Sequence, residues 1–94
     1  MDKKFVSVLK IEKYGRICLG SLVDEKFLTV SVFVDMEDRI HILPVLDPEN
    51  YFSGGIRYFD EKRRLCLKKF LGNAKRVYVT YGDDEGELVL WLKN

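Results

Sequence analysis

The chain has no glutamine, one histidine, one tryptophan and two cysteines among its 94 residues. Each shortage excludes something. Two cysteines and one histidine, far apart, do not supply the four-ligand spacing of a structural zinc site. With no second histidine, and no serine or cysteine arrangement around His41, a nucleophilic triad has no candidates. Gly54-Gly55 is a lone pair in a turn-rich stretch and not a glycine-rich phosphate loop. No apolar run approaches the roughly 20 residues that span a bilayer, and the opening residues MDKKFVSV lack a signal-peptide core. The expectation is a cytoplasmic, non-enzymatic protein with no cofactor, no metal, no membrane and no small-molecule substrate. The missing glutamine, with 33% of residues charged, is a compositional sign of a thermophile. It bears on Cys18 and Cys66, because hyperthermophile cytosol tolerates disulfides.

What is present is a single domain, 1–94, near the small end of what folds alone. Such a chain buries roughly 60–70% of its unfolded surface, so the core is thin and a homodimer would help it. Apolar residues make up 47%, which excludes a disordered chain.

Net charge is only +1, yet it is unevenly placed. From Lys62 to Arg76 there are seven basic residues and no acid: Lys62, Arg63, Arg64, Lys68, Lys69, Lys75 and Arg76. Asp83, Asp84, Glu85 and Glu87 follow. A dipole of this kind steers a polyanion to one end; its bland reading is a solvated face beside an acidic turn.

The basic window overlaps a repeat, and repeats come before any fold assignment. Shifted by 48 residues, Ile11–Val23 (IEKYGRICLGSLV) falls on Phe59–Leu71 (FDEKRRLCLKKFL). Glu12 falls on Asp60, Arg16 on Arg64, and Ile17-Cys18-Leu19 on Leu65-Cys66-Leu67. The repeats run 5–46 and 53–93 with a linker at 47–52. Two copies point to a pseudo-twofold pair and not to a solenoid.

Each copy reads as a strand, a charged turn, a short strand, a helical turn and a hairpin. Phe5–Ile11 and Ile56–Phe59 are the first strands, and Arg16–Leu19 and Arg64–Leu67 the short ones. Leu28–Val34 alternates with period two, and Arg39–Leu43 returns, closed by Pro44, which cannot donate to a ladder. Lys68–Leu71 is a helical turn ended by Gly72. Val77–Tyr81 and Leu88–Leu92 form the last hairpin. At a fixed shift Leu28-Val30-Val32 falls on Arg76-Tyr78-Thr80, the wrong parity. The turn before this strand is therefore expected to be one residue longer in the second copy, and the hairpin loop after it one residue shorter. Four short strands cannot bury both faces alone, so the two copies are expected to interleave into one closed β-core.

Acid-x-x-x-Arg, followed by a hydrophobic strand and a helical turn, resembles the swapped-hairpin domain of AbrB-like transcription regulators (SpoVT/AbrB, MazE and MraZ). The match covers both copies. The resemblance implies a mainly β, interleaved swapped-hairpin barrel with short helical turns, here a tandem pseudo-dimer in one chain, that binds double-stranded DNA. The family's arginine maps onto Arg16 and Arg64, and its acid onto Glu12 and Asp60. The family's usual proline after the short strand is absent; Gly20 and Lys68 stand there. Further arginines expected beyond the helical turn are replaced by Asp24-Glu25 and Gly72-Asn73. The first copy thus lacks DNA charge, and the second is expected to dominate. With no toxin-wrapping tail expected after Asn94, an antitoxin is not the expected role.

The candidate DNA-binding residues are Arg16, Lys62, Arg63, Arg64, Lys68 and Lys69. An arginine can grip guanine bidentately, and lysines hold phosphates; the alternative for Arg16 and Arg64 is a structural ion pair with Glu12 or Asp60. Cys18 and Cys66, each between apolar neighbours, read as small buried residues. His41 reads as a half-exposed strand residue and Trp91 as core. Tyr51, Phe52, Tyr58 and Phe59 cluster near the linker as core or dimer contacts. Two further readings stand beside DNA binding. One is a protein-interaction or oligomerisation module of the same fold. The other is a small β-barrel that binds RNA, with Tyr58 and Tyr78 as stacking platforms.

Overall fold

The computed structural model describes residues 5–48 and 55–93. The fold is mainly β. Its strands are β1 (Phe5–Lys10), β2 (Arg16–Cys18), β3 (Thr29–Val34), β4 (Ile40–Val45), β5 (Ile56–Tyr58), β6 (Arg64–Cys66), β7 (Arg76–Tyr81) and β8 (Leu88–Lys93). A single helical turn, α1 (Lys68–Leu71), follows β6, and a 3-10 turn spans Lys13–Gly15. Six strands form one antiparallel sheet in the order β1-β7-β8-β4-β3-β5, and β2 and β6 form a separate ribbon. The expected closed barrel is not seen among the described residues: the sheet is open, with β1 and β5 at its edges.

The pairings obey an exchange rule. In the ribbon Ile17 sits opposite Leu65, the residue 48 positions later, flanked by Arg16↔Cys66 and Cys18↔Arg64. At the sheet centre His41 sits opposite Val89, again 48 positions later. The edges follow suit: Lys10↔Arg76, Leu9↔Val77 and Val8↔Tyr78 on one side answer Tyr58↔Thr29, Arg57↔Val30 and Ile56↔Ser31 on the other. Each half therefore places its first strand on the other half's third strand.

These registers also correct the parity argument. Thr29 answers Arg76, 47 positions on. The slip is real but runs the other way: the segment between β6 and β7 is one residue shorter than that between β2 and β3, and the β7–β8 loop is one residue longer than the β3–β4 loop. Parity alone shows that a slip is odd and gives neither its size nor its sign.

The core lies between the sheet and the ribbon. Ile17, Leu19, Leu65 and Leu67 from the ribbon side pack with Val30, Val32, Ile40, Ile42, Val77, Val79, Leu88 and Leu90 from the sheet. Alternation sets the faces. Ile17 and Leu65 point into this core, so their neighbours point out, and Cys18 and Cys66 are exposed free thiols instead of buried residues. Apolar sequence neighbours are on the opposite face of a strand and bury nothing. The two thiols also lean apart, Cys18 Sγ toward the carbonyl of Lys62 (3.7 Å) and Cys66 Sγ toward that of Tyr14 (3.6 Å).

Three further expectations change. Pro44 does not close β4 but lies inside it, opposite Val30. The β4–β8 pairing ends at Ile42↔Leu88, so Pro44 sits on a locally free edge where no donor is needed. Trp91 is not in the main core. It lies on the sheet's other face opposite Tyr78, its indole N–H donating to Thr80 Oγ1 at 2.8 Å. His41 is more buried than expected, its side chain 13% exposed. It is stacked on Phe33 at 4.5 Å and hydrogen-bonded to Asp35 at 2.8 Å. Tyr51, Phe52 and most of the linker 47–52 lie outside the described residues. No helix among the described residues is long and apolar enough to cross a membrane.

Candidate nucleic-acid interface

The turn from Asp60 to Arg64 joins β5 to β6 and is built by its acid. Asp60 Oδ1 accepts the backbone N–H groups of Lys62 and Arg64, both at 2.9 Å, and Oδ2 accepts Arg64 Nε at 2.9 Å. The backbone closes with Asp60 N–H to Arg64 O (3.0 Å) and Arg63 N–H to Asp60 O (2.9 Å), and Arg63 takes a positive φ of 61°. This is a three-residue hairpin loop that ends in a left-handed residue. The Arg64 backbone N–H is the main cause that holds the Asp60 carboxyl below its ordinary range; burial opposes it, and the Arg64 guanidinium and Lys62 N–H assist. Asp60 in turn raises the Arg64 guanidinium above its ordinary value. Arg64 also reaches Glu12 at 3.5 Å and so ties the two turns together.

The same device occurs at Asp35–Arg39, between β3 and β4. Asp35 Oδ1 accepts the N–H groups of Glu37 (2.8 Å) and Arg39 (3.0 Å), Oδ2 accepts Arg39 Nε (2.7 Å), and Asp38 has φ 63°. Asp-x-x-x-Arg stands in the sequence there as plainly as at Asp60, and the repeat alignment passes over it because it is in a different place in the copy. In the Glu12–Arg16 turn the pattern differs. Tyr14 and Gly15 both take positive φ, and a Cβ on Gly15 would lie 2.6 Å from Lys68 Cα. Glu12 pairs with Arg64 and not with Arg16; Arg16 Nε donates to the carbonyl of Lys13 at 3.3 Å.

The expected site residues therefore divide. Arg64 is tied to Asp60 and Glu12. Arg63 turns inward: its guanidinium donates to the carbonyls of Phe27 (2.6 Å) and Asp24 (3.1 Å) and lies 4.1 Å over the Phe59 ring. Its Nε is buried with no hydrogen-bond partner among the described residues. Lys62, Lys68 and Lys69 are exposed and have no ion pair among the described residues. Lys68 and Lys69 border a shallow groove of about 380 Å3 with Arg57 and Cys66. Arg16 lies half-buried in the ribbon directly opposite Cys66, on the outer face.

One group of cations escaped the sequence reading. Lys10, Arg76 and Lys93 stand side by side across β1, β7 and β8. Only strand register brings them together, so spacing along the chain carries no sign of it.

No family model, curated protein or solved structure matches the chain.

Proposed function

We propose that this protein binds duplex DNA through the outer face of the β2–β6 ribbon and α1, as a single-chain counterpart of the AbrB-like swapped-hairpin regulators. The observation that carries the reading is the set of outward lysines, Lys62, Lys68 and Lys69, beside Arg16 and with no pairing acid among the described residues. The exchange of first strands between the halves supports the architecture; the open sheet is where the chain departs from a barrel. In this reading Asp60 and Arg64 shape the turn, Arg63 braces it from within, and the lysines meet phosphate. Three phosphate contacts give a slope of log K against log salt of about −2.7.

Fluorescence anisotropy with random duplex across a salt series tests this. Lys62→Glu/Lys68→Glu is expected to abolish the salt-dependent binding while the fold, followed by thermal melting, holds. Equal affinity in that variant and wild type would remove the proposal.

One observation favours a second reading, a protein-interaction module. Leu28, Leu46 and Tyr58 are 69%, 66% and 62% exposed around a groove of about 410 Å3 at the β5 edge. Sedimentation that stays monomeric at all concentrations, with Leu28→Ser behaving as wild type, would speak against it.

A further inference from the structure

Across an antiparallel sheet, directly opposed residues share a face, and like charges there repel. Lys10 opposes Arg76, and Arg76 opposes Lys93. Three cations thus stand in one row on one face, stepping about 4.8 Å from strand to strand. Lys75 precedes Arg76, and Lys10, Lys75 and Arg76 line a groove of about 400 Å3 together with Val8 and Ile11. None of the four cations has an ion pair among the described residues. A local rule broken without a compensating partner is a mark of function.

The next row on the same face is Val8–Tyr78–Trp91, again directly opposed. Tyr78 is 38% exposed, meets Phe5 edge-to-face at 6.4 Å, and has Lys93 Nζ 5.7 Å from its ring centre. Phe5 is itself 58% exposed. A row of cations thus runs beside a row of apolar and aromatic side chains, one strand repeat away.

The exchange rule supplies the contrast. The row that answers Lys10–Arg76–Lys93 in the other half is Tyr58–Thr29–Val45, and it has no charge. The basic row is a property of one edge and not of the fold.

We propose that this edge of the sheet binds single-stranded nucleic acid, with phosphates on Lys10, Arg76 and Lys93 and a base stacked against Tyr78 beside Phe5. The aromatic row decides the class. A polyanion without bases, such as a sulfated polysaccharide or an anionic lipid surface, uses the cations and ignores Tyr78. A duplex keeps its bases stacked inside and offers Tyr78 nothing. Only an open strand presents phosphate and base face together. The proposal uses none of the lysines of the ribbon site and stands whether or not duplex is bound there.

The test is anisotropy with labelled oligouridylate and oligothymidylate of roughly twelve nucleotides, across a salt series, with folding followed by thermal melting. Three phosphate contacts to a single strand give a slope near −2, and Arg76→Ser/Lys93→Ser is expected to reduce it to about −0.7. Tyr78→Leu is expected to weaken binding about 5- to 150-fold, and Tyr78→Phe, which keeps the ring, to restore it. Tyr58→Leu, at the answering position, is expected to change nothing. Three results would overturn the proposal: no binding at low salt; a Tyr78→Leu variant that binds as wild type; or competition by heparin or duplex as effective as by unlabelled single strand.

Discussion

Arg63 separates a structural cation from a ligand-binding one. Replacing it with methionine keeps the aliphatic stem and removes the guanidinium. A hydrogen bond to a charged group contributes about 1.5–3 kcal/mol, and two of Arg63's bonds, at 2.6 and 3.1 Å, have full-strength geometry. The third, to Val23 O at 3.5 Å, is too long to count. The guanidinium over Phe59 adds about 0.5–1 kcal/mol. Against these, removal of the buried, unpartnered Nε–H relieves about 1–3 kcal/mol. The net loss spans about 0.5–6 kcal/mol, with a midpoint of about 3 kcal/mol. In a domain of this size the midpoint lowers Tm by about 12–24 °C. Arg63→Lys is expected to fare little better, since an ammonium cannot span the Phe27 and Asp24 carbonyls. Arg63→Gly relaxes the positive φ but also loses the aliphatic stem and gains freedom in the unfolded chain, so it is expected to be about as stable as Arg63→Met. Urea unfolding followed by tryptophan fluorescence reads all three. An Arg63→Met protein that melts within about 2 °C of wild type yet loses affinity for DNA would refute the reasoning and return Arg63 to the binding surface.

Ile17→Ala removes a fully buried side chain at the centre of the ribbon and is expected to cost about 2–5 kcal/mol by chemical denaturation; a loss below about 1 kcal/mol would show that the ribbon packs loosely. Gly82→Ala places a Cβ 1.7 Å from Glu87 Oε1, in a carboxylate that is only 4% exposed and accepts the Asp83 N–H. Glu87 must move, and a lowered Tm with changed amide signals around Asp83–Glu87 is expected; a Tm equal to wild type would contradict the packing. Asp35 and Asp60 both titrate below their ordinary range in the folded protein. For Asp35, burial alone would push the other way and is outweighed by hydrogen bonds from His41, Arg39 and Glu37. A depressed carboxyl contributes stability that is fully present above the unfolded pKa of about 3.9 and lost as pH falls through the folded value. Stability should therefore be flat above about pH 5 and fall below about pH 4. Asp60→Asn and Asp35→Asn should each flatten that fall, and an unchanged acid limb in both variants would show that other groups cause it.

The strands were legible because their side chains alternate and their ends carry turn residues: Thr29–Val34 and Leu88–Lys93 sit where the period-two pattern puts them. The cysteines were misread because the neighbours in the sequence of Cys18 are on the opposite face of its strand. The acid-x-x-x-Arg pattern was visible, but its meaning was not. Asp35–Arg39 and Asp60–Arg64 adopt one hairpin loop with one hydrogen-bond pattern, so the motif first describes a turn and only then any ligand. Whether an arginine in a charged window faces solvent depends on a carbonyl 36 residues away, as with Arg63 and Phe27. The Lys10–Arg76–Lys93 row depends on two strand registers at once. Neither has a local signal.

The exchange of first strands has a consequence for how the protein is made. Lys10 and its partner Arg76 are 66 residues apart in the chain. At a synthesis rate of roughly 5–20 residues per second, β1 leaves the ribosome roughly 3–13 s before β7 exists to receive it. For that interval an apolar segment, FVSVLK, has no strand-pairing partner among the described residues of the half already made. Long-range pairing of this kind makes for slow folding. It also makes the nascent first half the stage at which the chain is most open to a holding chaperone, or to pairing with the β7 of another copy.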